Sequence, residues 1–407
     1  AALTGVITAC SESSSTADTQ IVPATASTAF SGTESFSILI GGTLVGKLVV
    51  DHSSGTTLID YEYRNNGRGP SIKETLTVGE NGLPTAWKIE GATTFGNKVD
   101  EQFVLAGGEA SWKDTTGTGS TTPSEPSLYV AQEASPYAIW LYAQALLADD
   151  DHSMPVLPGG ILRLDELEQI SLSGEAGEIS ATAYALSGIE LNPTYFLLDE
   201  NDAFLAVMTP RFAIIRSGYE AEDERIRKLS AEYAAQRFET IQKKVARNFD
   251  GPVRIKNVHI FDPATQALTE AVSVIVVGNK IDEIIPFQSP PAGSEMDISE
   301  VVIDGAGGTL IAGMYEMHGH LGQNSALLNI AAGVTSLRDM GNNNEVLSEL
   351  IKKIESGRLA GPRIIRSGFI EGKSPFSSNN GILVSTQEEA IAAVRSYSGG
   401  EFHQIKI

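Results

Sequence analysis

The stretch that decides the fold runs Thr309-Leu-Ile-Ala-Gly-Met-Tyr-Glu-Met-His-Gly-His-Leu321. Its first part is apolar and follows Gly307-Gly308, a pattern that predicts a buried strand. His318 and His320 come next with one residue between them, and side chains two apart on a strand point to the same face. Two neutral imidazoles on one face form half of a site for a first-row metal ion. An isolated His-x-His is more often a pair of polar residues at a strand's end, so the residues that follow decide between the two.

Strands and helices alternate after this stretch. Apolar spacing and the Gly, Pro and Thr residues at the boundaries predict helices at 324–332, at 344–359 and after Thr386, and strands at 334–340, 362–370 and 402–407. This alternation indicates a parallel sheet and about half of an eight-stranded βα barrel. Chemistry in such barrels lies at the C-terminal ends of the strands, where His318 and His320 fall.

Residues 253–407 resemble the N-terminal part of a metal-dependent hydrolase of the amidohydrolase superfamily, in its imidazolonepropionase-like and prolidase-like branch. The family's first strand carries Pro-Gly-x-x-Asp-x-His-x-His. This chain has Ala312-Gly-Met-Tyr-Glu316-Met-His-Gly-His320, so that Ala replaces Pro and Glu replaces Asp. The segment Gly333-Val-Thr-Ser-Leu-Arg-Asp-Met-Gly341 also resembles that branch. The likeness covers well under half of the chain, with its motifs in the family's order.

The resemblance implies a metal site with His318, His320 and Lys406 as ligands. Lys406 matches the position on the fourth strand where the family places a lysine that is carboxylated and bridges two metal ions. A lysine among apolar residues near the end of a central strand is costly to keep charged, which fits carboxylation, although a lysine at a strand's end can also extend to solvent. The implied cofactor is one or two divalent ions, with zinc preferred.

The resemblance also implies residues that this sequence does not contain. The family has two further His ligands on strands five and six and a general-base Asp on strand eight, and these would lie beyond residue 407. The catalytic residue is therefore unknown here. A chain that stops after strand four is expected to be inactive, because it lacks half of its barrel.

The implied function is hydrolysis of an amide-type C–N bond, in a dipeptide or a cyclic amide, by metal-activated water. Two alternatives stay open. The same His-x-His serves in metal-dependent deaminases, which would release ammonia. The hydrolase half could also be decayed, which would leave a non-catalytic envelope lipoprotein whose β-domain binds a lipid or a peptide. Lys373 or Ser374 could contact substrate from the loop 371–381, but an ordinary polar loop is the simpler explanation.

Composition limits the partners. The 407 residues carry a formal net charge of −22, with 20% charged residues, which argues against binding of nucleic acid or of an anionic membrane through the folded surface. No apolar run reaches the roughly 18 residues that a membrane-spanning helix needs. The expected partner is a small-molecule or peptide substrate.

Cys10 is the only cysteine. A short apolar run that ends in small residues precedes it and a Ser/Thr-rich stretch follows it, an order that resembles a bacterial lipoprotein signal with its lipobox. The sequence shows neither an initiator Met nor the basic front of such a signal. The pattern predicts a mature protein that begins at Cys10 and carries acyl chains on the periplasmic side of an envelope membrane. The membrane is then a partner only through this anchor. The alternative is a chance free cysteine near a flexible terminus.

Alternating apolar residues from about Glu34 predict an antiparallel sheet, curved or folded into a half barrel. A helix that Ser135 caps is expected to run to about Asp149. His52 and His152 lie beside acidic residues in turn-like segments and are expected at the surface. The predicted strands are 35–40, 43–50, 57–63, 71–78, 84–90, 101–105, 110–112, 169–172, 178–186, 194–198 and 203–208.

The predicted fold is multidomain. A strongly charged run with an apolar stripe, Tyr219 to Phe249, predicts a long helix between the two halves. The five parts are a lipoprotein signal remnant and flexible tether (1–32), an antiparallel β-rich α+β domain with one helix (33–217), a connecting helix (218–250), the amidohydrolase β-sandwich part (251–306) and the first half of a (β/α)8 TIM-like barrel, truncated at strand four (307–407).

Overall fold

The computed structural model describes residues 32–53, 55–175, 177–288, 301–378 and 380–407. The predicted signal remnant and nearly all of the predicted tether, with Cys10, lie outside the described residues. The described residues form three sheets and five α-helices and are rich in β-structure, as predicted. Within these ranges, no helix has both the length and the apolar content that a membrane span requires.

The largest sheet has 15 strands. The strands that the alternating pattern predicts are confirmed, and the structure adds others. In chain order they are β1 (Gly32–Ile40), β2 (Thr43–Ser53), β3 (Thr56–Tyr63), β4 (Ser71–Val78), β5 (Pro84–Ala92), β6 (Lys98–Ala106), β7 (Glu109–Asp114), β8 (Gly117–Thr121), β9 (Leu128–Tyr129), β10 (Ser153–Leu157), β11 (Ile161–Gly174), β12 (Gly177–Ser187), β13 (Thr194–Asp199), β14 (Phe204–Met208) and β15 (Phe212–Arg216).

This sheet consists of two wings that meet at its centre. One wing runs outward from β1 to β8 and the other from β15 to β9. β1 and β15, the first and last strands of this sheet in chain order, therefore pair with each other, with Phe36 opposite Arg216. All neighbouring pairs are antiparallel except β9 with β10. The order is thus a meander in each wing, joined by one pairing between distant parts of the chain.

One helix lies on each face of the large sheet. The apolar residues of α1 (Ala138–Leu147) share a core with residues from both wings, among them Trp87 and Phe196. The prediction that Ser135 caps this helix is wrong, because its cap position is Tyr137 and no side chain caps it. Ser135 instead donates its backbone N–H to Glu74 Oε1 at 2.5 Å.

The helix on the opposite face is α2 (Asp223–Val245), which follows a 3-10 turn at Glu220–Glu222. It confirms the predicted long helix but is shorter than 219–249, and the backbone turns extended at Ala246. Ile226 and Tyr233 pack under the large sheet. Phe238, further along, belongs to the core of the third sheet. This helix therefore connects the two halves of the chain by packing against both.

A five-stranded sheet follows α2. β20 runs parallel to β16, and the predicted boundary between residues 306 and 307 falls inside it. The strands are β16 (Val253–Asp262), β17 (Ala267–Leu268), β18 (Val272–Val277), β19 (Lys280–Pro286) and β20 (Val301–Leu310).

The third sheet is entirely parallel, as the alternation of strands and helices predicts. Along the sheet the order is β21, β22, β23, β25, with the short β24 also on β23. An open sheet does not establish a closed barrel, so the half barrel stays a prediction. The elements are β21 (Met314–Gly319), α3 (Gln323–Ala331), β22 (Val334–Asp339), α4 (Asn344–Glu355), β23 (Arg363–Gly372), β24 (Ile382–Val384), α5 (Gln387–Ser398) and β25 (Gln404–Lys406).

The prediction that 309–321 contains one buried strand is wrong. The stretch is divided between β20, which ends at Leu310, and β21, which begins at Met314 in another sheet. Tyr315 is 56% exposed and Met317 52% exposed. The reason is that β21 is an outer strand of the described sheet, so its apolar side chains are not covered.

Two buried glutamates hold the segment that leads into α1. Glu74 accepts hydrogen bonds from Trp87 Nε1 at 2.9 Å and from the Ser135 N–H. Glu101 accepts hydrogen bonds from Tyr129 Oη at 2.6 Å and from two backbone N–H groups, those of Gln132 and Glu133. These bonds satisfy donors that would otherwise be buried without a partner, which is costly.

Burial raises the pKa of Glu74 from 4.5 to about 7. The folded protein therefore holds a proton that the unfolded chain releases, and this contribution to stability is full below pH 4.5 and lost as the pH rises through 7. We expect Glu74→Gln, which cannot ionise, to reduce the fall in unfolding free energy between pH 5 and pH 8 by up to about 3 kcal/mol. Urea unfolding at several pH values, followed by tryptophan fluorescence, measures this.

The matched control is Glu80→Gln, because Glu80 is exposed in the turn after β4. This variant should keep the pH dependence of the wild-type protein. Parallel stability curves for wild type and Glu74→Gln across the range would show that Glu74 holds no such proton.

Candidate metal centre

His318 and His320 lie together at the C-terminal edge of the parallel sheet. His318 is the penultimate residue of β21, and His320 follows the strand. Their ring centroids are 5.5 Å apart, with 65° between the ring planes, and both residues are exposed. The structure thus brings the two predicted ligands close to each other. Their role as metal ligands stays a prediction.

One hydrogen bond sets the proton position on His320. Its Nδ1 lies 2.6 Å from the backbone oxygen of Gly341. A carbonyl oxygen can only accept, so Nδ1 carries a proton, and in the neutral imidazole Nε2 is then the nitrogen with the lone pair. An imidazole oriented by a carbonyl in this way is in the state that a metal ligand requires.

Asp339 at the end of β22 fixes the backbone on both sides of this hydrogen bond. It is completely buried, and its Oδ2 accepts from Leu321 N at 2.8 Å and from Asn342 Nδ2 at 2.9 Å. Its Oδ1 accepts from Gly341 N at 3.1 Å. The residue after His320 and the residue that holds His320 are therefore tied to one carboxylate.

Asp339 and Gly341 have supporting roles that the sequence reasoning did not assign. Both occur in the motif that carries the family resemblance, but only as letters of that motif. The signal that could have identified them is an acidic residue at the end of an apolar strand, because a carboxylate there must find donors in the loops that surround it.

Two side chains brace the backbone of β21, one from the strand itself and one from β22. Glu316 Oε1 accepts from the backbone N–H of His318 at 2.7 Å. Arg338 Nε donates to the backbone oxygen of Met317 at 2.7 Å. Glu316 stands where the family has Asp, and in this structure it bonds the strand's own backbone.

Lys406 is linked to the His320 loop through Phe369. Phe369 and Lys406 are paired residues of β23 and β25, and Lys406 Nζ lies 5.5 Å from the centroid of the Phe369 ring. A Cβ built on Gly341 would lie 3.2 Å from Phe369 Cγ. The same ring therefore lies against the loop that holds His320 and beside the side chain of Lys406.

The donors present fit a metal site in part. Within the described part of the chain, no group of three or more His, Cys, Asp or Glu side chains could hold a metal ion. These residues offer two imidazoles, and Lys406 would add a third donor only if it were carboxylated. A catalytic zinc site has three protein ligands, so a third donor from carboxylated Lys406 would suffice in number.

The loop that carries Lys373 and Ser374 is held by its own hydrogen bonds. Ser374 Oγ accepts from Phe376 N at 3.1 Å, and Ser377 Oγ accepts from Ser374 N at 2.7 Å and donates to Gly372 O at 2.5 Å. These bonds are internal to the loop and support the explanation that Ser374 belongs to an ordinary polar loop. The Lys373 N–H donates to Val384 O at 2.8 Å.

The prediction that His52 is a surface residue in a turn is wrong. It lies within β2, and its side chain is 10% exposed. His52 Nε2 lies 3.0 Å from Glu34 Oε2 and 3.2 Å from Tyr137 Oη. It thus joins β1, β2 and the start of α1. The sequence did not show this because Glu34 and Tyr137 are distant along the chain.

Solved structures show partial similarity at low identity. A candidate prolidase from Bifidobacterium longum is 22% identical over 39% of this chain and 41% of that chain, with a TM-score of 0.34. A Xaa-Pro dipeptidase with bound methionine in the active site is 24% identical over 39% and 47%, with a TM-score of 0.32. A bottromycin amidohydrolase is 18% identical over 43% and 35%, with a TM-score of 0.31.

The chain spans less than half the length of each of these three structures. No protein-family model matches the chain, and no curated protein matches it either.

Proposed function

We propose that this chain carries part of the active site of a metal-dependent hydrolase of the amidohydrolase superfamily, which cleaves an amide-type C–N bond in a dipeptide or a cyclic amide. The observation that supports this most is the pair of exposed imidazoles at the strand end, with the Nε2 of His320 left available by the Gly341 carbonyl. The motif resemblance around His318, His320 and Lys406 supplies the reaction class.

In this proposal one or two divalent ions, with zinc preferred, would be held by His318, His320 and a carboxylated Lys406. When bound, such an ion lowers the pKa of a water molecule toward neutrality and polarises the scissile carbonyl. The Gly341 carbonyl accepts a hydrogen bond from Nδ1 of His320, so that Nε2 would be the ring nitrogen available to the ion. Lys406 contributes an anion only after carboxylation, because its ammonium form cannot bind a cation.

Asp339 does not fit the role of general base. Three N–H donors occupy its carboxylate, and it is completely buried. A proton taken up by Asp339 would occupy one of the two carboxylate oxygens that now accept hydrogen bonds. Its proposed role is to position the loops around His320.

The test is hydrolysis by the complete gene product that contains these residues. Incubation with dipeptides and cyclic amides should release an amine and a new carboxyl group in equal amounts. Chelation of metal should abolish the activity, and added zinc should restore it. Release of ammonia without a new carboxyl group would favour the deaminase alternative. A folded protein that binds no metal and cleaves none of these substrates would contradict both.

We also propose that Cys10 carries the lipid anchor, on the periplasmic side of an envelope membrane. Cys10→Ser should abolish incorporation of an alkyne-labelled fatty acid and move the protein from the membrane fraction to the soluble fraction. The reason is that one or two acyl chains supply the whole membrane affinity. Ser13→Ala, in the same stretch, is the control and should leave both unchanged. Labelling that persists in Cys10→Ser would reject the anchor.

A further inference from the structure

A turn of the large sheet rests on a loop of the parallel sheet. Gly67, between β3 and β4, packs against the ring of Phe376, which is more than 300 residues away in the sequence. A Cβ built on Gly67 would lie 2.0 Å from Phe376 Cδ1 and 2.6 Å from Cε1. Such a short distance means that the ring already touches the backbone of Gly67. The contact depends on the absence of a side chain at this position.

Both partners of this contact are held rigidly. The turn closes through hydrogen bonds in both directions between the backbones of Asn65 and Arg68, at 2.8 and 3.0 Å. The Arg64 guanidinium braces it by donating to the backbone oxygens of Tyr63, Gly69 and Pro70. The Phe376 segment is fixed by the bonds among Ser374, Ser377 and Gly372 described above. The turn is therefore presented in one defined place.

That place lies at the same edge of the parallel sheet as the candidate metal centre. Phe376 follows the C-terminal end of β23, and His320 follows the C-terminal end of β21, which lies two strands away in the same parallel sheet. C-terminal ends of parallel strands share one edge. Separately, Leu321, next to His320, shares a core cluster with Phe238 of α2, the helix that also packs under the large sheet.

The turn presents a cation at this edge. Arg68 is exposed, and its guanidinium carbon lies 5.6 Å from the centroid of the Phe95 ring, which is 75% exposed. None of the described carboxylates forms an ion pair with Arg68. The chain as a whole carries a formal net charge of −22, which opposes the approach of an anion. An exposed arginine over an exposed aromatic ring suits a carboxylate attached to an apolar group.

We propose that the turn 65–68 forms a wall of the substrate site and that Arg68 binds a carboxylate of the substrate. The inference rests on the proposed hydrolase function for the identity of the substrate site. It assigns the large antiparallel sheet a direct part in substrate selection: substrates with a free carboxylate near an apolar side chain are preferred over their neutral counterparts.

The test compares two probes that contain no bond for a hydrolase to cleave, 3-phenylpropionate and the neutral 3-phenylpropanol. Calorimetric titration of the complete gene product should show about tenfold tighter binding of the acid, as one charge-assisted hydrogen-bond pair supplies. Arg68→Ala should bind the two equally. Arg163→Ala, an exposed arginine on β11 of the opposite wing, should keep the preference.

The position of the turn is tested by two glycines with the same backbone conformation. Gly67 has φ +65° and Gly107 has φ +60°, but a Cβ on Gly107 would meet nothing within 4 Å. An alanine therefore strains the backbone similarly at both positions, and only at Gly67 does it displace Phe376. Gly67→Ala should weaken binding of the acid at least about threefold. Gly107→Ala should leave it unchanged.

The outcomes separate this inference from the proposed function. The inference is overturned if the wild-type protein shows no preference for the acid, if it binds neither probe, or if Arg68→Ala retains the preference. An Arg68-dependent preference in a protein that hydrolyses no amide would support the binding role and reject the proposed function alone. Hydrolysis of an amide without this preference would support the proposed function and reject the binding role of Arg68.

Discussion

Zinc affinity is expected to fall by about a thousandfold or more when His318 and His320 are both replaced by alanine. Zinc sites with four ligands bind with roughly 10–16 kcal/mol, and loss of two ligands removes a large part of that energy. Hydrolysis by the complete gene product should fall below detection. Competition against a chromogenic chelator measures the affinity, and the metal content of the purified protein gives an independent value.

His403→Ala is the matched control for this pair. His403 is an exposed histidine directly before β25, three residues before Lys406, and it lies outside the His318 and His320 pair. Its replacement should leave zinc affinity within about twofold of wild type. Equal affinities for the double variant and the wild-type protein would show that zinc binds elsewhere, and the proposed site would be rejected.

A large loss of stability is expected for Asp339→Ala. Removal of the carboxylate leaves the N–H groups of Leu321 and Gly341 and the amide of Asn342 without this acceptor in a buried place. Each orphaned donor costs about 1–3 kcal/mol, so we expect a loss of about 3–5 kcal/mol in unfolding free energy. Urea unfolding of the metal-free protein measures it.

The same variant should weaken zinc binding, because Asp339 fixes the loops around His320. Loss of such a supporting residue costs about 10- to 100-fold in metal affinity. Asp262→Ala is the control, since the Asp262 carboxylate also accepts from a backbone N–H, that of Ala264 at 2.9 Å, but lies in an open turn far from the histidines along the chain. Its zinc affinity should not change. Reduced stability with unchanged zinc affinity would show that Asp339 is structural only.

Elements set by local pattern could be predicted from the sequence. The helix after Thr386 is one case, because the Thr386 hydroxyl does accept from the Glu389 N–H, as the capping pattern requires. The strands of the large sheet are another, since alternation of apolar residues is a property of each strand alone. The proximity of His318 and His320 follows from their spacing by two residues.

Elements set by distant contacts could not be predicted. The predicted helix cap at Ser135 is wrong because the Ser135 backbone N–H binds Glu74 on β4 instead. No residue near Ser135 in the sequence indicates this contact. The exposure of β21 depends on which strands neighbour it, not on its own composition. The support of His320 by Gly341 and Asp339 requires two loops to meet, and a sequence pattern does not specify that meeting.

The pairing of β1 with β15 determines when the large sheet can be completed. One edge of β1 can pair with β2 as soon as that hairpin exists, whereas the other edge waits for the last strand. Ser35 and Ser217, whose hydroxyl oxygens lie 3.2 Å apart, are separated by 182 residues. Closing so long a loop is entropically costly and slows folding. During synthesis, the wing β1–β8 is therefore complete while the central edge of β1 stays unpaired until residue 216 is made. The rate of folding depends on when β15 pairs with β1 rather than on how fast the hairpins of the wing form.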